Sequence, residues 1–246
     1  MVEKQLKTAI VTGASKGIGA AIAQRLAADG MAVVVNYAQN VAAADAVVTA
    51  IVQAGGHAVA IQADVASPDG IHTLFGAAEE AFGGVDILIN NAGIVHLGAM
   101  ADVDDAVFQV QIDTNLGGVF RGIREGSKRL RDGGRIVNFS SSVVGLYQPN
   151  YGVYAATKAA VEAMTHIAAK ELGTRGITVN AVAPGPVATD LFIAGKSAVQ
   201  LQAIAGMNPF KRLGQPDDIA SVVSFLAGPD SGWVSGQVIR ANGGVV

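Results

Sequence analysis

Tyr154 and Lys158 stand four residues apart, so on a helix they project from one face, one turn from each other. An ammonium beside a phenol favours the phenolate. It draws the pKa down from about 10 and makes a tyrosine usable as an acid or base near neutrality. Ser140, Ser141 and Ser142 lie about a dozen residues upstream and set this pair apart from a solvated helix face. A second stretch with chemical potential is Thr12-Gly13-Ala14-Ser15-Lys16-Gly17-Ile18-Gly19. Glycines permit a sharp turn and close approach to the backbone, and a helix starting there offers free N–H groups and a positive dipole end. A pyrophosphate is the guest such a turn suits. Its spacing, Gly-x-x-x-Gly-x-Gly, differs from the Gly-x-Gly-x-x-Gly dinucleotide fingerprint, so an ordinary glycine-rich turn is the alternative.

The elements that would position these residues alternate along the chain. Ala9–Val11, Ala32–Val35, His57–Gln62, Val85–Ile89, Gly134–Phe139 and Ile177–Val182 are short apolar runs of the buried-strand kind. Helical periodicity fills the intervals: from Ile18 to Gly30, Val41 to Ala54, about Ser67 or Asp69 to Phe82, Asp102 to Leu130, and Tyr151 to Leu172. Repeated β-α-β order predicts one α/β domain over residues 1–246, a doubly wound parallel sheet of about seven strands with helices on both faces. In such a sheet ligands bind beyond the carboxyl ends of the strands. The glycine turn, Asp64-Val65, Asn90-Asn91-Ala92-Gly93, the three serines and Pro184-Gly185-Pro186-Val187-Ala188-Thr189 each follow a strand. Any one of them is ordinary turn chemistry. Together they fit one extended ligand lying along that edge.

Composition narrows the classes. Of 246 residues half are hydrophobic, 15% are charged, and the net charge is −3, which favours neither nucleic acid nor an anionic membrane. Cysteine is absent, so disulfides and thiolate metal sites are excluded. The start, Met1 to Lys7, lacks the apolar core of a signal peptide, and no run approaches the roughly 18 apolar residues of a membrane span. A cytoplasmic protein is the expectation.

From about Leu6 to Gly244 the chain resembles the short-chain dehydrogenase/reductase family. The resemblance rests on the glycine turn, Asn90-Asn91-Ala92-Gly93, Thr114-Asn115-Leu116, the serines, Tyr154 with Lys158, Pro184-Gly185, and Ser235-Gly236-Gln237 to Asn242-Gly243-Gly244. It implies a Rossmann fold, a nicotinamide cofactor and no metal. Tyr154 would be the acid in carbonyl reduction and the base in alcohol oxidation. Lys158 would tune Tyr154 and bind the nicotinamide ribose, a serine would hold the carbonyl oxygen, and Asn115 would support a water-linked proton relay behind Lys158. Counting from Tyr154 or from Asn138 selects Ser141; counting back from Gly145 selects Ser142. Ser141 is the preferred assignment.

The same resemblance puts Gly13, Ser15, Lys16, Gly17, Ile18 and Gly19 around the cofactor. Asp64 and Val65 would meet the adenine, Asn91, Ala92 and Gly93 would line the cofactor, and Pro184, Gly185, Val187 and Thr189 would meet the nicotinamide. The second strand ends at Asn36-Tyr37-Ala38 without the carboxylate that would bind the ribose hydroxyls of NAD. With Lys16 as a cation, NADP(H) is favoured over NAD(H). The substrate would be a ketone, aldehyde or alcohol of unspecified kind, and a lid is expected at about residues 190–208, whose Leu191, Phe192, Ile193 and Met207 either line a substrate pocket or pack the lid down. His96, Tyr147, Gln148, Asn150 and Tyr151 also qualify to face substrate, each being read as structural first.

Arg121, Arg124, Lys128 and Arg131 form one basic helix stripe by spacing. It would suit an acidic acyl carrier protein and a 3-oxoacyl reductase, although a solvated or subunit-facing helix is the favoured reading. The family implies a homo-oligomer, a tetramer or dimer built through the long helices and the C-terminal strand. A protein that binds NADP(H) without turnover is the alternative of another class, and the intact Asn-Ser-Tyr-Lys set argues against it.

Overall fold

Successive side chains of a strand face opposite ways, and here both faces are apolar, so each strand must be covered on both sides. The computed structural model, which describes residues 6–246, meets that demand with seven parallel strands in the order β3-β2-β1-β4-β5-β6-β7. They are β1 (Thr8–Val11), β2 (Ala32–Tyr37), β3 (His57–Gln62), β4 (Val85–Asn90), β5 (Leu130–Phe139), β6 (Thr178–Pro184) and β7 (Val238–Ala241). Ala9, Val11, Val33, Val35, Ile87, Ile89 and Val137 pack beneath α1 (Gly17–Ala28), α2 (Val41–Gln53) and α10 (Pro216–Ala227). On the other face Ile10, Val34, Leu88 and Ile136 pack with α3 (Gly70–Phe82), and Val179 with α7 (Gly152–Leu172). Met1–Gln5, part of the segment read for a leader, lie outside the described residues, as does the side chain of Leu191. Among the described residues no helix is long and apolar enough to cross a membrane.

Because β1 pairs with both β2 and β4, the chain reverses direction across the sheet there. The crevice at the carboxyl ends of β1 and β4 is the switch point where such sheets take ligands. The helix expected from Asp102 to Leu130 is not one α-helix. α4 (Asp105–Gln111) passes into a π-helical stretch, Ile112–Gly117, before α5 (Gly118–Arg129) resumes. β5 starts at Leu130, four residues before the expected Gly134, because Leu130 pairs with Val85 and the register then shifts. After β5 come α6 (Val143–Leu146) and α7, and over the 190–208 segment α8 (Asp190–Ile193) and α9 (Ala198–Ala205).

Candidate active site

The glycine turn is held from three directions. Gly13 and Gly17 sit at φ of 62° and 56°, the left-handed region that glycine enters without a Cβ penalty. Asn91 donates from its side-chain amide to the carbonyls of Thr12 (2.8 Å) and Gly13 (3.1 Å). The Thr12 hydroxyl accepts from the backbone N–H groups of Asn91 and Ala92, both at 3.0 Å. This clasp joins the ends of β1 and β4. Sequence reasoning counted Thr12 in the motif but gave it no role, since threonine in a turn carries no distinctive signal. A Cβ on Gly13 would come within 3.0 Å of the Ala92 Cα, and one on Gly17 within 3.2 Å of the Thr189 Cγ2. Glycine turn, β4 end and lid base thus meet at van der Waals range. Ser15 and Ile18 are half-buried, and Lys16 is exposed where the first helix begins.

Asn36 has a structural job that its sequence position did not disclose. It is buried, its Oδ1 accepts from the Gly13 N–H (3.2 Å), and its amide donates to the carbonyls of Ile61 (3.3 Å) and Ala63 (3.0 Å). A side chain so engaged positions the turn. Tyr37 is also buried, while Ala38 is exposed and no carboxylate stands at this strand end. Asp64 is exposed, with one oxygen closing a turn onto the Ala66 N–H at 2.9 Å, and Val65 is buried against Gly118.

Across the crevice, β5 ends at the serines. Ser142 is buried, and its Oγ finds no partner. Ser141 is half-buried, and its hydroxyl lies against the Tyr154 phenol. Of the two serines, then, Ser141 is the one that faces Tyr154. Ser140 donates to a Glu162 carboxylate oxygen at 2.6 Å, tying the strand end to α7. Lys158 is buried and donates through Nζ to the Phe139 carbonyl at 2.9 Å. The π-helical stretch brings Asn115 inward, where its amide accepts from the Ile94 N–H and donates to the Ile94 carbonyl, both at 2.8 Å. A Cβ on Gly93 would lie 3.2 Å from Asn115 Oδ1 and 3.5 Å from Lys158 Nζ. Asn115 and Lys158 therefore converge on one bare glycine at the end of β4.

The electrostatics differ from the expectation drawn from spacing. Loss of hydration pushes the Tyr154 phenol up to about 12, the Ser141 contact pulling against it and the neighbouring Tyr151 adding to the rise. Burial also brings Lys158 down to about 8. In these surroundings desolvation outweighs any lowering of Tyr154 by Lys158. The phenol is therefore protonated at neutral pH, the form a proton donor needs.

Pro184 ends β6, and Gly185 N–H donates to the Ala241 carbonyl at 3.1 Å. Val187 is buried and bridges to Gly214, and Thr189 caps α8. A cavity of about 380 Å³ opens beside Gly185–Val187, towards Asn208, Phe210 and Gly243, and Tyr154 does not line it. The basic stripe survives in part: Arg121, Arg124 and Lys128 share α5, with Arg124 and Lys128 exposed, and Arg131 leaves the helix. Arg121 is bound to the Val65 and Asp113 carbonyls, and Arg131 belongs to β5, paired with Asp86 at 2.9 Å. Arg124 lies over the Phe120 ring, and Lys128 is exposed.

The family model described as enoyl-(acyl carrier protein) reductase matches residues 13–246. An uncharacterised oxidoreductase of Methylorubrum extorquens is 48% identical over 97% of each chain. A short-chain type dehydrogenase/reductase of Picea abies is 46% identical over 98% of this chain and 92% of its own. Among solved structures, the angucycline C-6 ketoreductase LanV with bound NADP is 36% identical, with a TM-score of 0.92 over 97% of this chain and 95% of that one. With the parallel sheet, the clasped glycine turn and the Tyr154–Lys158 helix, these likenesses place the chain in the short-chain dehydrogenase/reductase family, as an oxidoreductase acting on carbonyl and alcohol groups.

Proposed function

We propose that this chain is an NADP(H)-dependent reductase of ketones or aldehydes in which Tyr154 is the proton donor. The observation that carries the reading is the convergence of Asn115, Lys158, Tyr154 and Ser141 across the crevice from the clasped glycine turn. The donor set suits a dinucleotide. Bare glycines leave room for a pyrophosphate at a helix N-terminus, and Lys16 and the uncharged β2 end accept a further phosphate. NADPH, when bound, supplies the hydride. The rest falls to the side chains. The Ser141 hydroxyl donates to the carbonyl oxygen and stabilises the charge growing there, and the Tyr154 phenol delivers its proton to that oxygen. Lys158, hydrogen-bonded at Phe139, and Asn115 stand behind the phenol to return the proton from solvent.

The test is oxidation of NADPH and NADH against a panel of aliphatic and aromatic ketones, diketones, sugars and a 3-oxoacyl thioester. NADPH-dependent turnover is expected, and equal or better turnover with NADH would contradict the cofactor assignment. Ala38→Asp should cut the NADPH-to-NADH ratio of kcat/KM by about tenfold or more, through repulsion of the extra phosphate. Gly19→Ala bears on the turn itself. Its Cβ would collide with the Gly13 carbonyl and lie 2.6 Å from Asn91 Nδ2. We expect NADPH affinity, followed by fluorescence titration, to fall by about tenfold or more.

A homo-oligomer belongs to the same reading. It is supported by the exposed aromatic residues Phe108 and Phe120 on α4 and α5 and Trp233 before β7. Sedimentation should give a dimer or tetramer. A 3-oxoacyl-[acyl-carrier-protein] reductase is the second reading, favoured by the Synechocystis protein of that name, 42% identical over 98% of this chain; the basic stripe shortened by the loss of Arg131 to β5 weighs against it.

A further inference from the structure

Two loops bound the approach to Tyr154, residues 91–104 after β4 and residues 147–151 before α7. They are stitched together: the Gly98 N–H donates to the Asn150 carbonyl at 3.0 Å, and the Met100 sulfur occupies the space where a Cβ of Gly152 would stand. Gly152 lies two residues before Tyr154 on α7, and the Tyr151 ring meets the Tyr154 ring edge-on at 6.5 Å.

Three features of this mouth are unusual for a solvent-facing surface. First, its large apolar groups are left in water: Tyr147 is 80% exposed, Met100 72% and Leu97 55%. Second, Tyr147 and Asn150 hold φ of 48° and 70°, a left-handed backbone that side-chain-bearing residues adopt at a cost and that gathers where function requires it. Third, neither Ile94–Ala101 nor Val143–Val153 contains an Asp, Glu, Lys or Arg. The cations described on the lid side hydrogen-bond within their own segment. Lys196 is bound to the Phe192 carbonyl, Lys211 to the Gly206 carbonyl at 2.8 Å, and Arg212 to Asp218. His96 is the one side chain of these two stretches that can become a cation, so a carboxylate, a phosphate or an acidic carrier protein finds little here to pair with, whereas a flat apolar body finds a ring face and a polarisable sulfur.

We propose that the substrate is a neutral aromatic carbonyl compound whose ring system is gripped between Tyr147 and Met100 while its carbonyl reaches Tyr154. This rests on the reductase reading above and adds the substrate class. The test compares 2-acetylnaphthalene with 2-butanone, and with a naphthyl ketone bearing a carboxylate, in the wild type and in Tyr147→Ser and Met100→Thr. The naphthyl ketone should be the better wild-type substrate and the carboxylate analogue a poor one. Each substitution should lower the naphthyl-to-butanone ratio of kcat/KM by about tenfold, mostly through KM. An unchanged ratio, or a preference for the carboxylate analogue or a 3-oxoacyl thioester, would overturn the proposal.

Calorimetric binding of 2-acetylnaphthalene to Tyr154→Phe separates the two readings. Binding weakened by Tyr147→Ser in that background supports the clamp even if no carbonyl is turned over, a result that would instead count against the reductase reading. Binding that ignores Tyr147 would overturn the clamp alone. A shift in sedimentation caused by Tyr147→Ser would assign the apolar mouth to contact between copies and overturn it as well.

Discussion

Tyr154→Phe is expected to lower kcat by about 10³-fold while leaving NADPH affinity within a factor of two or so, because it removes one hydroxyl and little volume. The substitution takes away the proton that the carbonyl oxygen must receive. It also takes away the contact by which Ser141 offsets the loss of hydration around the phenol. Water is a poor substitute there, since Tyr154 is half-buried, meets Ser141, and has the buried Lys158 ammonium 5.6 Å from its ring centre. Stopped-flow NADPH oxidation paired with a fluorescence titration separates the effects. A fall in affinity matching the fall in kcat would mean that Tyr154 acts in binding and not in proton transfer.

Lys158→Met should act in opposite directions on activity and stability. Turnover is expected to fall by about 10²-fold or more, as the group behind the phenol is lost. Stability at pH 7, measured by urea unfolding without added cofactor, should rise. Lys158 titrates at about 8 in the folded chain against an ordinary 10.5, so the folded state gives up its proton first. The cost is fully present below pH 8 and is relieved between about 8 and 10.5. By linkage it is about 3 kcal/mol. Losing the charge-assisted hydrogen bond to the Phe139 carbonyl returns about 2 kcal/mol, which leaves a net gain of about 1 kcal/mol and roughly 2–4 °C in Tm. Wild-type stability should climb between pH 8 and 10 and the variant's should not. Above pH 10 Tyr154 works the other way, because its folded pKa of about 12 lies above the ordinary 10.0 and the unfolded chain ionises first. A variant less stable at pH 7 would show that the lysine holds the fold together, as well as serving the site.

Much of this was legible in the residues. β3 was bounded correctly at His57 and Gln62, since Gly55 and Gly56 before it leave little choice, and the C-terminal positions of the clusters followed from strand order alone. The break in the Asp102–Leu130 helix was not legible. A π-helical stretch shifts the pitch without a proline or any composition signal, and it turns Asn115 inward. The role of Asn36 was also hidden: sequence places it at the end of β2 but cannot reveal that the Gly13 N–H and two neighbouring carbonyls will use up its amide. The basic stripe was shortened for a related reason. Spacing of three and four treats every residue as helical, and Arg131 lies in a strand. Tyr154 and Lys158 were found by spacing, but their ionisation depends on burial, which spacing does not measure.

The measurement closest to the central claim is isotope transfer. Wild-type protein is incubated with NADPH deuterated at both C4 positions and with 2-acetylnaphthalene, and the alcohol is examined by mass spectrometry beside the same reaction with Tyr154→Phe. The account predicts one deuterium on the carbinol carbon from the wild type and about 10³-fold less labelled alcohol from the variant. Labelled alcohol formed equally well by both would contradict Tyr154 as the proton donor, and cofactor oxidised without label in the alcohol would contradict hydride transfer to the carbonyl.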